Sequence, residues 1–398
     1  MIKHPILGVA LCLATCAETS HAQTAIDTPV RRTLDSTIAK AVTDAGIVGL
    51  ATAVVVDGQI VWARAHGYAD REAGVLLTTA TVMNLASVSK TTIGVTMMRL
   101  VADGRLGLDQ DINRYLPFTV INPHQPKVPI TLRHLATHTS GIVDREDFYT
   151  SLYRKVGEPV MSLDALLRSY LVVGGANYSP DNFLKVAPGK SRDYSNLAAT
   201  LAAYIVERAV GESFDAHTRR VIFEPLGMRS AGWNRTQVHG RPHSQLYVQD
   251  SASTTRVAPY DIVSYPDGGL QMSVEDLARY FAMLLNHGAQ GRVRIIDSAA
   301  LAEMQRFQWT AANKPENYEL TEGNTGLFWR TKFNGERVGH GGNDPGVSVD
   351  MLTDAKGRVG IIMMSNTSPF GRANRHLQTV MDALTRFGDG IAIETGRR

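Results

Sequence analysis

Residues 84–90 read Asn84-Leu85-Ala86-Ser87-Val88-Ser89-Lys90, and from Leu85 an apolar helical pattern runs on to Ala102 before Asp103-Gly104 stops it. Positions three apart on a helix share a face, so Ser87 and Lys90 point into the same space. A serine hydroxyl is a poor nucleophile until a neighbouring base takes its proton, and a lysine with a depressed pKa can be that base. The pair points to acyl transfer through a covalent serine ester. Alone, a Ser-x-x-Lys tetrapeptide reads equally well as a solvated helix start, so the chemistry depends on partners elsewhere.

Working outward, Val48 to Val56 is an apolar run followed by Asp57-Gly58 and then Ile60 to His66, a hairpin signal. The region from Leu106 to Met304 is mostly helical pattern between Pro and Gly breaks, clearest over Asn196 to Val210 and Val274 to Asn286. Strand patterns return in Gly326 to Phe333, Arg337 to Gly339, Val347 to Thr353 and Val359 to Met364, with an Asn334-Gly335 turn. A helix over Ala373 to Phe387 follows. Strands at both ends with helices between predict an α/β (α+β) fold: one antiparallel sheet assembled from both termini, with a mostly helical insertion. The expected division is a sheet domain over 23–105 and 325–398 and a helical domain over 106–324. A cleft between such units is a usual place for a small-molecule site.

Two segments offer partners for Ser87 and Lys90. Tyr194-Ser195-Asn196 follows Pro188-Gly189 and opens a helix, so a phenol and an amide two apart can both face a cleft. His340-Gly341-Gly342-Asn343 lies on a strand after the Asn334-Gly335 turn, where its glycines would let a substrate backbone approach and pair with the strand edge.

With Ile130-Thr-Leu-Arg-His-Leu-Ala-Thr-His-Thr-Ser-Gly141, Ile222-Phe-Glu-Pro-Leu-Gly-Met228, Asp267-Gly-Gly-Leu270 and His340-Gly-Gly-Asn-Asp-Pro-Gly346 in the same order, the chain resembles the serine β-lactamase and penicillin-binding-protein superfamily. It looks most like the class C branch, which includes D-aminopeptidases and family VIII esterases of peptidase S12 type. The resemblance spans nearly the whole chain after residue 22 and implies a β-lactamase-like fold with no cofactor. It implies Ser87 as nucleophile, Lys90 as its activating partner and Tyr194 as the acid/base that serves the leaving group. Asn196 would hold the acyl side chain and help fix Lys90. His340, Gly341, Gly342 and Asn343 would line the substrate, with the N–H groups of Ser87 and Asn343 as the oxyanion hole. Either Lys90 or Tyr194 can be the base, since each would need its pKa lowered by about three units. Relatives acting on β-lactams or D-Ala-D-Ala usually carry lysine where this chain has His340. A histidine is largely neutral at pH 7, so weak or no β-lactamase activity is expected.

The 398 residues are 44% hydrophobic and 20% charged with a formal charge of +3, ordinary for a globular protein and too small a charge to imply nucleic acid or a membrane surface as partner. Lys3, the apolar run Ile6 to Ala14 and Ser20-His21-Ala22 form a secretory signal over 1–22, so periplasmic export without stable membrane insertion is expected. Both cysteines, Cys12 and Cys16, fall inside it, and Leu13-Ala14-Thr15-Cys16 offers lipid anchoring as the lesser reading. His134 and His138 mimic half of a zinc helix but lack the glutamate and a third ligand, so no metal is expected. Asp144 to Lys185 reads as a helical packing element, or alternatively as a pocket wall setting acyl specificity. The expected activity is an exported serine hydrolase acting on a small ester or short peptide. The rivals are a D-Ala-D-Ala carboxypeptidase or weak β-lactamase using charged His340, a transferase, and an acyl-forming sensor without turnover.

Overall fold

The computed structural model describes residues 28–396 apart from 160 and 372; the expected signal segment lies outside the described residues. Thr28 accepts from Arg31 N and Pro29 occupies the first turn, which starts α1 (Pro29–Ala45). The pattern reading overlooks this helix. Its apolar stripe of Leu34, Ile38 and Val42 is short and diluted by threonine and alanine.

The chain then enters the sheet as β1 (Gly49–Val56), turns at Asp57 and Gly58, both at positive φ, and returns as β2 (Gln59–Asp70). Successive β1 side chains serve opposite faces. Leu50, Val54 and Val56 join one apolar cluster, while Ala51, Ala53 and Val55 join the other. That two-sided burial is why β1 reads as an unbroken apolar run rather than an alternating one. The sheet gains β3 (Val75–Leu76), β4 (Arg330–Lys332), β5 (Arg337–Asp344), β6 (Val347–Thr353) and β7 (Val359–Ser365). Its order is β4-β5-β6-β7-β1-β2-β3, antiparallel throughout, so strands from both ends of the chain meet at the β7–β1 pairing of Leu50 with Ser365.

One face of the sheet is covered by α1 and the final helix, Ala373–Gly396, which runs nine residues past the expected end at Phe387. Trp62 packs edge-on against Phe387 of that helix, at 5.7 Å between rings. On the other face lie Lys90–Ala102, Asn196–Val210 and Val274–Leu285. Lys90–Ala102 is buried along most of its length. At Gly94 an added Cβ would lie 2.7 Å from Met304 Cε and 3.0 Å from Leu327 O, so only glycine lets these elements close together. Val274–Leu285, although inside the 106–324 segment, packs on β1, β2 and β7.

Candidate active site

The nucleophile segment is a four-residue 3-10 turn, Ala86–Ser89, feeding directly into the helix that starts at Lys90. In 3-10 geometry residues three apart eclipse, which aligns Ser87 and Lys90 more closely than an α-helix would. The turn is held on both sides by the Asp267-Gly-Gly-Leu270 segment: Leu85 N donates to Leu270 O at 2.9 Å, and Leu270 N donates to Ser89 Oγ at 3.2 Å. Ala86, just before Ser87, sits at φ 46°, a conformation that costs a non-glycine residue about 1 kcal/mol or more.

Lys90 is buried, and its Nζ meets Ser87 Oγ at 3.0 Å, Asn196 Oδ1 at 2.7 Å and Asp267 O at 2.7 Å. Two of these partners only accept, so they take two N–H groups and leave the third position to the serine hydroxyl. That hydroxyl accepts from an ammonium and donates to an amine, so the same arrangement serves both protonation states.

Tyr194 and Asn196 are positioned by a capped helix start. Asp144 accepts from Ser195 Oγ at 2.7 Å, Asn196 N at 2.5 Å and Leu197 N at 3.1 Å, while Ser195 Oγ accepts from Ala198 N at 2.9 Å. Burial raises the Asp144 carboxyl, and these hydrogen bonds oppose the rise. The Tyr194 ring lies against His138, 4.1 Å between centroids, with Lys90 Nζ 5.1 Å and Arg330 Cζ 5.7 Å from its own centroid. His138 is buried at φ 57° and receives Ser195 N on Nδ1 at 3.3 Å; burial and then the Lys90 charge hold it well below its ordinary pKa. His138 therefore orients the tyrosine. His134 instead completes a capping box with Thr131, and among the described residues no group of three or more His, Cys, Asp or Glu is arranged to hold a metal ion.

The His340 strand packs directly on the nucleophile turn. A Cβ on Gly342 would lie 2.4 Å from Leu85 O and 2.8 Å from Ser87 N, and one on Gly341 would lie 2.6 Å from Lys332 Nζ and 2.7 Å from Asp350 Oδ1. The glycines therefore let the strand close on the nucleophile turn on one side and on the Lys332–Asp350 ion pair on the other, while within the sheet Arg330–Lys332 pairs only with Arg337–Gly339. Asn343 is exposed beside them. His340 is 1% exposed, with Nδ1 2.7 Å from Gly341 O, and burial followed by the Arg330 charge depresses its pKa far below the usual value. Burial thus disfavours its charged form.

Sequence patterns do not reveal an acidic and phenolic cluster beside Lys90. Tyr149 donates to Asp267 Oδ1 at 2.9 Å, Thr200 donates to Asp267 Oδ2 at 3.0 Å, and Tyr153 donates to Asp344 Oδ1 at 2.5 Å. Burial pushes Asp267 up to about 6 and Asp344 up to about 7. The start of the Asp144 to Lys185 segment thus walls the site, while its later helix, Leu163–Leu171, packs in the core.

The Beta-lactamase family model matches residues 34–385, almost the whole described chain. The chain belongs to the beta-lactamase family. Among curated members it is 30% identical to esterase EstB of Burkholderia gladioli over 62% of this chain and 68% of that one. It is 21% identical to protein flp of Staphylococcus aureus over 80% of this chain and 60% of flp. Solved structures with this fold include EstCE1, described as a hydrolase with promiscuous acyltransferase activity, at TM-score 0.71 and 21% identity over 89% of this chain and 98% of that one. The D-amino acid amidase of Ochrobactrum anthropi SV3 has TM-score 0.70 and 20% identity over 90% and 99%. The fold is the β-lactamase-like one, and within the family this chain is a serine hydrolase. Among the described residues no helix is long and apolar enough to cross a membrane.

Proposed function

We propose that this family member is an exported, periplasmic hydrolase of small esters and amides, with Ser87 forming the acyl-enzyme. The observation that carries the reading is the buried Lys90 Nζ 3.0 Å from Ser87 Oγ with its other two hydrogens held by Asn196 and the Asp267 carbonyl. The Ser87 proton passes to Lys90 or Tyr194 as Oγ bonds to the substrate carbonyl carbon. The N–H groups of Ser87 and Asn343 receive the developing oxyanion. As the intermediate collapses, the proton goes to the leaving oxygen or nitrogen by way of Tyr194; water then attacks the ester and frees the acid. The 30% identity to an esterase favours esters as the better substrates. The neutral, buried His340 argues against efficient β-lactam turnover.

A fluorophosphonate probe should label Ser87 in the wild type and not in Ser87→Ala. Lys90→Ala should lower p-nitrophenyl ester turnover by about 10²–10⁴-fold. Near-wild-type turnover by Lys90→Ala overturns the mechanism, as does nitrocefin hydrolysis faster than ester hydrolysis for the substrate reading. An aminoacyl-p-nitroanilide panel measures the amide side.

A further inference from the structure

One short stretch of the helical insertion, residues 144–155, touches three separate parts of the catalytic centre. Phe148 and Leu152 root it in the core: Phe148 stacks 4.5 Å from Tyr170, and Leu152 O accepts from Val263 N at 3.0 Å. Asp144, Tyr149 and Tyr153 face the site instead. Asp144 caps the helix start that carries Tyr194 and Asn196. Tyr149 donates to Asp267 Oδ1 at 2.9 Å, and the carbonyl of that same Asp267 accepts from Lys90 Nζ at 2.7 Å. Tyr153 donates to Asp344 Oδ1 at 2.5 Å, one residue beyond Asn343, whose N–H receives the oxyanion in the reaction above. The turn after Asn343 is gripped from two sides. From the sheet domain, Ser368 Oγ donates to Asp344 O at 2.8 Å and accepts from Gly346 N at 2.7 Å. From the insertion come Tyr153 on Asp344 and Tyr260, which donates to Pro345 O at 3.1 Å. These two phenols pack edge to face at 5.1 Å and lie on the paired strands Tyr153–Lys155 and Tyr260–Ile262.

The centre needs such a brace. Ser87, Lys90 and Asn343 belong to the sheet domain, whereas Tyr194 and Asn196 open a helix of the insertion, so their spacing depends on what crosses the cleft. Oxyanion donors and proton carriers lose their effect when displaced by as little as about 1 Å. A phenol reaches across with only two side-chain torsions, and it can donate to a carboxyl oxygen whether or not that carboxyl is protonated. We propose that Tyr149 and Tyr153 are positioning residues of this hydrolase, holding the Lys90 acceptor and the Asn343 oxyanion donor in register with Tyr194. The stretch 144–155 then sets the alignment of the reacting groups and does more than line the acyl side of the cleft. This inference rests on the Ser87 acyl-enzyme reading above and adds to it the residues that keep the site in shape.

The test measures kcat and KM for p-nitrophenyl acetate and p-nitrophenyl hexanoate in wild type, Tyr149→Phe, Tyr153→Phe and the double variant. Phenylalanine keeps each ring in its packing and removes only the O–H. Acylation and deacylation both pass through an oxyanion, so both should slow together. The expected loss in kcat is about 10-fold for each single variant and about 10²-fold for the double, the same on both esters. KM should stay within about threefold of wild type. A stretch that only selects acyl groups behaves differently: its losses appear in KM or on hexanoate alone, and either pattern overturns the proposal. So does a double variant whose kcat for acetate stays within about twofold of wild type. Asp344→Leu should lose as much as Tyr153→Phe, and the two together no more than either, while Asp344→Asn, which keeps an acceptor for the phenol, should lose less than Asp344→Leu. Fully additive losses refute the Tyr153–Asp344 link. Urea midpoints are read alongside, and a lowered midpoint with kcat unmoved marks the phenols as structural alone and overturns the assignment. If fluorophosphonate fails to label wild-type Ser87, the acyl-enzyme reading falls and takes this one with it; a labelled Ser87 with unchanged kcat in the variants removes this inference alone.

Discussion

Gly342→Ala probes the contact between the sheet and the nucleophile. The new methyl would sit 2.4 Å from Leu85 O, 2.8 Å from Ser87 N and 2.9 Å from Ala86 Cβ. Ordinary non-bonded contacts lie near 3.5–4.0 Å, so β5 and the turn must separate by about 1 Å. Neither can yield cheaply: β5 is paired to β6 along its length, and the turn is pinned by Leu270 and by Ala86 at positive φ. Overpacking of this kind costs about 1–3 kcal/mol of stability. A 1 Å displacement of catalytic groups costs about 10²-fold in rate. The expected result is therefore a folded protein with kcat for a p-nitrophenyl ester reduced by about two orders of magnitude. Gly390→Ala is the control, since nothing lies within 4 Å of its added Cβ and its φ is not in the left-handed range; it should match wild-type activity and gain up to about 1 kcal/mol from helix propensity. Urea unfolding and steady-state kinetics on the three proteins decide the matter. If Gly342→Ala keeps kcat within about threefold of wild type, with the loss of contact space confirmed by its stability, the strand does not help align the nucleophile and the reasoning fails.

Two further outcomes follow from buried carboxylates. Asp344 is raised to about 7 in the folded state, so the native protein holds a proton that the unfolded chain releases near pH 4, and stability falls as pH rises through that interval. Asp344→Asn should therefore be more stable than wild type at pH 8, by about 1–2 kcal/mol once partial exposure is discounted, with the gain vanishing at pH 4; a pH-independent difference in urea midpoints would contradict this. Asp144→Ala strips the acceptor from Ser195 Oγ, Asn196 N and Leu197 N, and should cost about 2–3 kcal/mol together with a drop in kcat as Tyr194 and Asn196 lose their anchor. Calorimetric melting with parallel ester kinetics checks it, and loss of stability with kcat unchanged would show that Asp144 only caps the helix.

What could be read without coordinates was what local pattern encodes. The β1–β2 hairpin follows from an apolar run and Asp57-Gly58, and Asn196–Val210 follows from its spacing, with Gly211 at positive φ ending it. Ser87, Lys90, Tyr194 and Asn196 were legible as motif residues because their segments are short and contiguous. The supporting shell was not. Asp144 and Arg330 acquire meaning only from neighbours distant in the chain, and each looks like an ordinary charge in its own segment; Asp267 was legible within its motif, but its partners Tyr149 and Thr200 were not. Three-residue strands such as Tyr153–Lys155, paired with Tyr260–Ile262, are too short to show a period at all. The glycines of the His340 strand were legible as points of close approach, but not that the nucleophile turn is one of the groups that approaches them.

Closing the sheet between its first strand and its last also governs when the molecule can fold. β1 is apolar on both faces and borders β7, with Leu50 opposite Ser365, so its hydrogen-bonding edge waits for nearly the entire polypeptide to be made. Until then the N-terminal hairpin presents an open, hydrophobic edge, the kind of surface that recruits other strands. Such long-range pairing is slow because loop-closure entropy is spent before the contacts that repay it form. Growth conditions and holding factors that keep the half-made chain apart should therefore set the yield of active enzyme more than the stability of the finished fold.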